Sequence, residues 1–571
     1  MSDLYVPKRY DNYSDVLIAF GILKMVNSVI NTSDRGRTII SDDGEYFIVH
    51  TDVDLKEVDF SKVKFQFLLP YIEQNTKTRP PKPPDWASSN FRATNPDKDF
   101  NEYAREDHIA SNLQKSQQGL RAKDGMNEMC ELLYKTRENF GVLIEALILG
   151  YTDFEPDLSL MKEKVEYFDE ELAKFLFKKR NALQALFPHG CKGFNYEDLG
   201  VSTGITTSQD RGRQEIYYYE LLLASIGLWE TAVFFPVFTN QGKESILISI
   251  LNPKHINYTN YKITRDSIRG FWAGTSTKYS ALILLTAIRA LIDRSEELRE
   301  EEEFEGYQPC DFINSIETTS FRSLGSSYVP FTIAKFVIPV WVFIDDEINT
   351  TELKESIQDI INLLIPLNEE AAGIGVFIEI IRFLNSNNPL DLLNFFYEYN
   401  LFRISQIADN KRIRSYSQKT LEVVMNRLDK TNKTQYSEIL KKEGFKNIAK
   451  AIRNVAVNAI YLSRRNDEYK KIIHFGLASE LKRASLTEKT LIEWLNNFCS
   501  TYNANLDRFA FANPDKKLPF SKIKQDDIEN MMNLIEDYSQ PRIVGSLLLA
   551  YGLASTSKKE KVETEVEETI E

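Results

Sequence analysis

Apolar residues recur at helical spacing from Val16 to Ile30 in YDNYSDVLIAFGILKMVNSVI and predict a first helix, with Asn12 or Ser14 as its N-cap. RTIISDDGEYFIVH then sets Asp-Gly between two β-rich runs, the signal of a hairpin. VKFQFLLPYI reads as a strand ending at Pro70. Four prolines in TRPPKPPDW (Thr78 to Trp86) remove donors and fix φ, so helix and central strand are both excluded there. That stretch opens a polar segment to about Asp124, expected to be an extended excursion that orders only against a partner.

Two helices are predicted next, Met126–Tyr151 and Leu158–Phe187, the second charged on one side and apolar on the other. A polar loop to Arg213 leads to a helix over Ile216–Trp229, β-rich runs AVFFPVFT and SILISIL, and a helix around Ser280–Leu298. FTIAKFVIPVWVFID reads as one or two buried strands. From about Ile348 the pattern changes to some eight helical segments separated by NSNNP, ADNKR, DKTNK, RRNDE and NPDKK. The expected fold class is therefore α+β/α, a mixed α/β N-terminal region followed by an all-helical C-terminal bundle. Its expected parts are an α/β segment with a Pro-rich excursion (1–125), a central α/β region (126–347), a helical bundle with a basic face (348–556) and a disordered acidic tail (557–571).

Composition narrows the classes. Apolar content of 43% and charged content of 27% are ordinary for a water-soluble chain, and 571 residues exceed one compact core. No run of about 18 apolar residues lacks a charge and MSDLYVPKRYDNYSD has no apolar h-region, so no membrane partner is expected and the expected location is cytoplasmic. The four cysteines (Cys130, Cys191, Cys310, Cys499) form no CxxC pair, and the five histidines are equally dispersed. His189 and Cys191 are close in sequence, but two ligands do not make a metal site, and no metal or other cofactor is expected.

Catalytic signatures are missing from the sequence. The acidic pair in VFIDDE would need a GxxxxGK[ST] loop to serve a nucleotide, whereas NQGKES has Val237 at the first glycine position. Capping of the following helix by Asp345 or Asp346 is the simpler role. HExxH and GxSxG are absent, and REDHIA lacks a tandem His-Asp. A binding protein is the expectation rather than an enzyme.

Charge supplies the sharper signal. The chain carries a net −13, yet Lys411 through Arg483 holds 18 Lys/Arg against 7 Asp/Glu, a local +11 that leaves −24 for the rest. In KNIAKAIRNVAVNAIYLSRR, Lys446, Lys450, Arg453 and Arg464 fall within roughly 60° of one face of a straight helix, and Arg465 adjoins them. Such a stripe suits a phosphate backbone, with counterion release supplying affinity. Salt bridges to the acidic remainder are the rival use. A second candidate is FPHGCKGFNYED (Phe187 to Asp198), where Pro188 stops a helix and two glycines let a backbone approach a ligand beside Lys192 and Asn195. Arg211 and Arg213 lie just beyond; turns of this type also serve purely as structure.

GxKGFN (Gly190–Asn195), a polar loop, and then a helix of the type YYYELLLASIGLWE together resemble the large subunit of archaeal-type CRISPR Cascade complexes, the Cas-eight family. YDNYSDVLIAFGILKMV is similar to N-terminal segments of that family, and the size and order of parts agree; Cys191 stands where a small or polar residue is expected. The resemblance implies a non-catalytic subunit that holds the 5′ handle of CRISPR RNA, checks a short duplex motif beside the target in double-stranded DNA, sits among other Cascade subunits, and precedes recruitment of a helicase–nuclease in trans. The alternative is a helical scaffold whose basic patch binds an acidic protein.

Overall fold

The computed structural model describes residues 1–30, 38–66, 68–69, 129–130, 132–157, 159–161, 218–237, 245–268, 276–298, 309–324, 327–343, 350–367, 373–409, 411 and 413–555. The chain divides into two compact units, Met1–Tyr279 with Asp293–Ile338, and Ser280–Ile292 with Pro339–Glu571. The architecture is mixed α/β toward the N-terminus and helical toward the C-terminus, as the patterns require.

In the first unit, strands β1 (Ser2–Pro7), β2 (Ile39–Asp42), β3 (Tyr46–Thr51) and β6 (His255–Asn257) form an antiparallel sheet ordered β1-β3-β2-β6. The Asp-Gly signal lies in its β2–β3 connection. Gly44 takes φ +104°, Asp42 accepts its amide at 2.8 Å, and Asp43 accepts the amides of Glu45 and Tyr46 at 3.0 and 2.6 Å. A second antiparallel sheet runs β4 (Val233–Val237), β5 (Ser245–Pro253), β7 (Ile313–Leu324), β8 (Ser327–Val337).

Helix α1 (Tyr13–Val29) begins at Asn12, whose side chain accepts the Ser14 amide at 2.9 Å. Every residue from Tyr13 to Ser28 is buried, so α1 is a central helix without a solvent face. Helix α2 (Phe140–Leu149) belongs to the same unit. Helix α3 (Tyr218–Thr231) packs against α1 backbone to backbone. A Cβ on Gly21 would lie 2.3 Å from the Leu223 carbonyl oxygen, and one on Gly227 would lie 1.7 Å from that of Leu17. Position 21 faces 223 while 17 faces 227, so the two helices run antiparallel.

Buried ion pairs fix α3 at both ends. Glu220 accepts from Arg9 and from the Tyr10 hydroxyl, both at 2.6 Å. Glu230 meets Lys24 at 3.3 Å and the Tyr258 hydroxyl at 2.6 Å. Burial disfavours the Glu230 charge, but Lys24, Lys262, the Tyr258 hydroxyl and Arg265 outweigh it and hold the carboxyl down at about 2. A depressed carboxylate stabilises the fold above its ordinary value of 4.5 and loses that contribution as pH falls through its folded value. Unfolding of this unit should therefore become easier by on the order of 3 kcal/mol between about pH 4.5 and pH 2. Urea titrations across that range should show this acid limb flattened in Glu230→Gln.

Three expectations for local structure are corrected. Residues 63–66 of VKFQFLLPYI form no strand. Gln66 donates to the Ser28 carbonyl at 2.9 Å, and the Phe65 ring sits 5.2 Å from Phe140, so this stretch seals the end of α1 by side-chain contact. In the run Met126–Tyr151 the described residues are interrupted by a 3-10 turn at Arg137–Asn139. In FTIAKFVIPVWVFID, β8 stops at Val337, and beyond Pro339, which has no amide to donate, comes a 3-10 turn, Val340–Phe343.

The second unit is helical, with ten helices of five residues or more beginning after Pro339 among the described residues. They are α6 (Thr350–Leu364), α7 (Ile374–Ser386), α8 (Pro389–Ala408), α9 (Gln418–Asn432), α10 (Glu443–Arg453), α11 (Ala459–Ser463), α12 (Leu477–Ala484), α13 (Glu488–Ala512), α14 (Gln525–Tyr538) and α15 (Pro541–Leu553). Helices α4 (Tyr258–Ser267) and α5 (Ser276–Leu298) precede them in the chain. The polar loops are helix stops and starts. Asn387 and Lys433 end α7 and α9 with φ of +54° and +56°, while Asn388 and Ser417 cap α8 and α9. Around residue 417 the chain is pinned to the end of α15. Ser555 donates its amide to Tyr416 at 2.7 Å and accepts from the Gln418 amide at 3.0 Å.

Candidate nucleic-acid interface

Helix α10 buries Phe445, Ile448, Ala449 and Ile452 against its neighbours, including α14 and α15. Its strong two-sidedness leaves the opposite face to cations. Lys446 is half-buried and Lys450 exposed, one turn apart; Lys442, at the N-cap, continues the same ladder one turn earlier and is exposed. None of the three side chains makes a hydrogen bond or ion pair among the described residues. Lys442 lies just before the helical pattern and so falls off the wheel drawn from sequence, although the spacing 442, 446, 450 is readable there.

Beyond Arg453 the helix does not continue straight. Asn454–Asn458 form a π turn, which holds more residues than an α turn. Positions 464 and 465 are thereby rotated away from where a straight wheel puts them. Arg453 is half-buried and donates to the Ala554 carbonyl at the C-cap of α15, and Arg464 donates to the Ile407 carbonyl in the last turn of α8. Helix C-termini expose unpaired carbonyls and carry partial negative charge, so cations are stabilised there. Burial and then the nearby Arg403 charge bring the Arg453 guanidinium down to about 10. Arg403 donates to Leu553, the neighbouring carbonyl of the same helix end, at 2.7 Å. Arg464 also lies over the Tyr461 ring at 5.1 Å. The four-cation stripe is thus a lysine ladder plus two arginines bound to main-chain carbonyls. Arg465 is exposed and, among the described residues, unpaired.

Lys192, Asn195, Arg211 and Arg213 lie outside the described residues, as do the rest of FPHGCKGFNYED, most of the 158–187 helix, the 78–124 excursion, Asp345 and Asp346.

The rival use of the charge, pairing with the acidic remainder, is realised only in part. Within 411–483, Arg414 reaches Asp359 at 3.1 Å and Lys419 reaches Glu352 at 3.1 Å. Lys441 and Lys470 pair locally with Glu438 and Asp467 at 2.6 and 2.8 Å. Several acids of the stretch are engaged elsewhere. Asp429 accepts the amides of Tyr436 and Ser437 at 2.9 and 2.6 Å, Glu468 takes Lys516, and Glu480 takes His474. Lys411, Lys433 and Arg483 remain exposed and unpaired among the described residues, in addition to the ladder residues. Among the described residues, much of the local positive charge therefore faces solvent.

The arginine caps and the ladder respond differently to mutation. Arg453→Met removes a cap and should cost about 1–2 kcal/mol in thermal or urea unfolding, while leaving the salt dependence of any polyanion binding unchanged. Lys450→Ala should do the reverse.

Among the described residues no group of three His, Cys, Asp or Glu could hold a metal ion. Cys499 is buried, and burial followed by the Asp527 charge pushes its thiol up to about 12, which removes it as a nucleophile at neutral pH. Among the described residues no helix is long and apolar enough to cross a membrane. The chain matches no protein-family model and no curated protein.

Proposed function

We propose that this chain is a non-catalytic large subunit of a type I CRISPR surveillance complex. In this reading it works in the cytoplasm, binding CRISPR RNA and the double-stranded target DNA beside the protospacer, among other Cascade subunits, before a helicase–nuclease is recruited. The observation that carries the reading is the Lys442–Lys446–Lys450 ladder, unpaired among the described residues, within a stretch several of whose own acids are engaged away from it. A polyanion is the ligand class that such a surface favours, because each lysine that meets a phosphate releases a condensed counterion. The GxKGFN run and the α3 sequence add the resemblance that selects this polyanion binder from others. Lysines spaced by one helical turn contact a backbone without reading bases, so the expected contribution is affinity rather than sequence choice.

Ultraviolet cross-linking of the native complex followed by peptide mass mapping tests the reading. Cross-linked nucleotide within 442–450 is the expected result. Cross-links confined to other subunits would remove this chain from the nucleic-acid path and leave the scaffold alternative.

A further inference from the structure

The outward face of the β1-β3-β2-β6 sheet brings together three polar side chains from three strands. Strand alternation turns Leu4, Ile40, Phe47 and Val49 into the core and leaves Asp3, Ser41 and His50 on the other side. Ser41 Oγ lies 2.7 Å from His50 Nε2, and His50 Nδ1 lies 2.8 Å from Asp3 Oδ1. A carboxylate only accepts, so in the neutral ring Nδ1 carries the proton and Nε2 is left to accept from the Ser41 hydroxyl. Both distances suit a nucleophile, its base and the group that orients the base, a set recognised by geometry on any fold. Solvent reaches it, since the His50 and Asp3 side chains are 35% and 47% exposed. An apolar strip runs beside it. Ile48 is the cross-strand partner of both Ser41 and Tyr5, and the Tyr5 ring lies 4.3 Å from that of the exposed Phe154.

We propose that Ser41, His50 and Asp3 form a nucleophilic site that hydrolyses esters whose acid part is small and apolar. The Ser41 oxygen bonds to the ester carbonyl carbon as its proton passes to His50 Nε2. The ester C–O bond breaks, and the departing alcohol takes that proton with it. Water then attacks the acyl-serine and gives a proton to His50 Nε2, which returns it to the Ser41 oxygen as the acid leaves. Ester and water thus become acid and alcohol. Asp3 touches no reacting atom and is a positioning residue, fixing the ring tautomer and stabilising the imidazolium formed in each half. Ile48 and Tyr5 select the acyl part, because directly opposed residues on paired strands stand about 5 Å apart and place Ile48 within a short chain of Ser41. This chemistry goes beyond the nucleic-acid reading, in which the chain is non-catalytic toward nucleic acid, and neither outcome of its test bears on the lysine ladder.

The test treats the full chain with a rhodamine-tagged fluorophosphonate and maps the labelled peptide by mass spectrometry. Label on Ser41 is the expected result, lost in Ser41→Ala and slowed about a hundredfold or more in His50→Gln. Asp3→Asn should slow labelling by about tenfold or more at unchanged thermal stability, and Asp3→Glu should recover part of the rate, which a merely structural Asp3 would not do. Ser41→Ala removes one half-buried hydroxyl, so its melting temperature should stay within a few degrees of the unchanged chain and lost labelling then reports chemistry rather than unfolding. Release of p-nitrophenol from p-nitrophenyl butyrate should outpace release from the acetate, and Ile48→Ser should raise KM for the butyrate alone. Label only at other residues, or label on Ser41 at a rate that His50→Gln leaves unchanged, would overturn the proposal. Butyrate cleaved no faster than acetate would overturn its assignment of the acyl part.

Discussion

Replacing Lys442, Lys446 and Lys450 together by alanine should lower the slope of log affinity against log salt by about 2.7 units for a duplex and about 2.1 for a single strand bound by the assembled complex. Each phosphate contact contributes about 0.9 unit on duplex DNA and about 0.7 on single strands. Binding at low salt should weaken by a similar factor on every sequence, because backbone contacts carry no base information. Stability should hardly change, since the three side chains make no hydrogen bond or ion pair among the described residues and the buried face of α10 is untouched. Fluorescence anisotropy at several salt concentrations measures the slope, and thermal unfolding measures the rest. A slope that stays put would mean that the ladder meets something other than phosphate.

Gly227→Leu should cost the first unit about 3–5 kcal/mol in urea unfolding, with Gly21→Leu close behind. The clash in each case is with main chain: the Leu17 carbonyl at 1.7 Å and the Leu223 carbonyl at 2.3 Å from the added Cβ. Backbone inside two buried helices cannot yield as a flexible side chain would, so α1 and α3 must separate. Separation strips burial from residues such as Phe20 and Leu221, both fully enclosed. Gly44→Ala is the contrast. Its cost of about 1 kcal/mol comes only from φ +104°, because nothing lies near the added methyl. If the Gly227 and Gly44 substitutions cost alike, the close contact of α1 with α3 is wrong.

Local chemistry was legible wherever it was written in neighbouring residues. Asn12 caps α1 because its side chain reaches an amide two residues on, and Asp43-Gly44 turns the β2–β3 hairpin by the same short-range logic. NSNNP and DKTNK were visible as breaks, and Asn387 and Lys433 supply the left-handed residues that end their helices. Partners far along the chain supplied the rest. Arg453 and Arg464 belong to the stripe read from the sequence, but carbonyls 101 and 57 residues away take them. The π turn at 454–458 has no sequence mark that a straight wheel would register. Residues 63–66 alternate like a strand, yet Gln66 serves the end of α1 instead.

The candidate surface divides in the same way. Counting charges located the basic stretch, and helical spacing located Lys446 and Lys450. Deciding which cations face solvent required knowing where the helix ends lie, and that separated the lysine ladder from the arginine caps.

Sequencing the RNA that co-purifies with the native protein, with mass spectrometry of the accompanying chains, tests the central claim most directly. A discrete repeat-derived RNA together with partner subunits is the expected result. Acidic proteins alone, with no bound RNA, would contradict it and make the basic surface a protein-docking face.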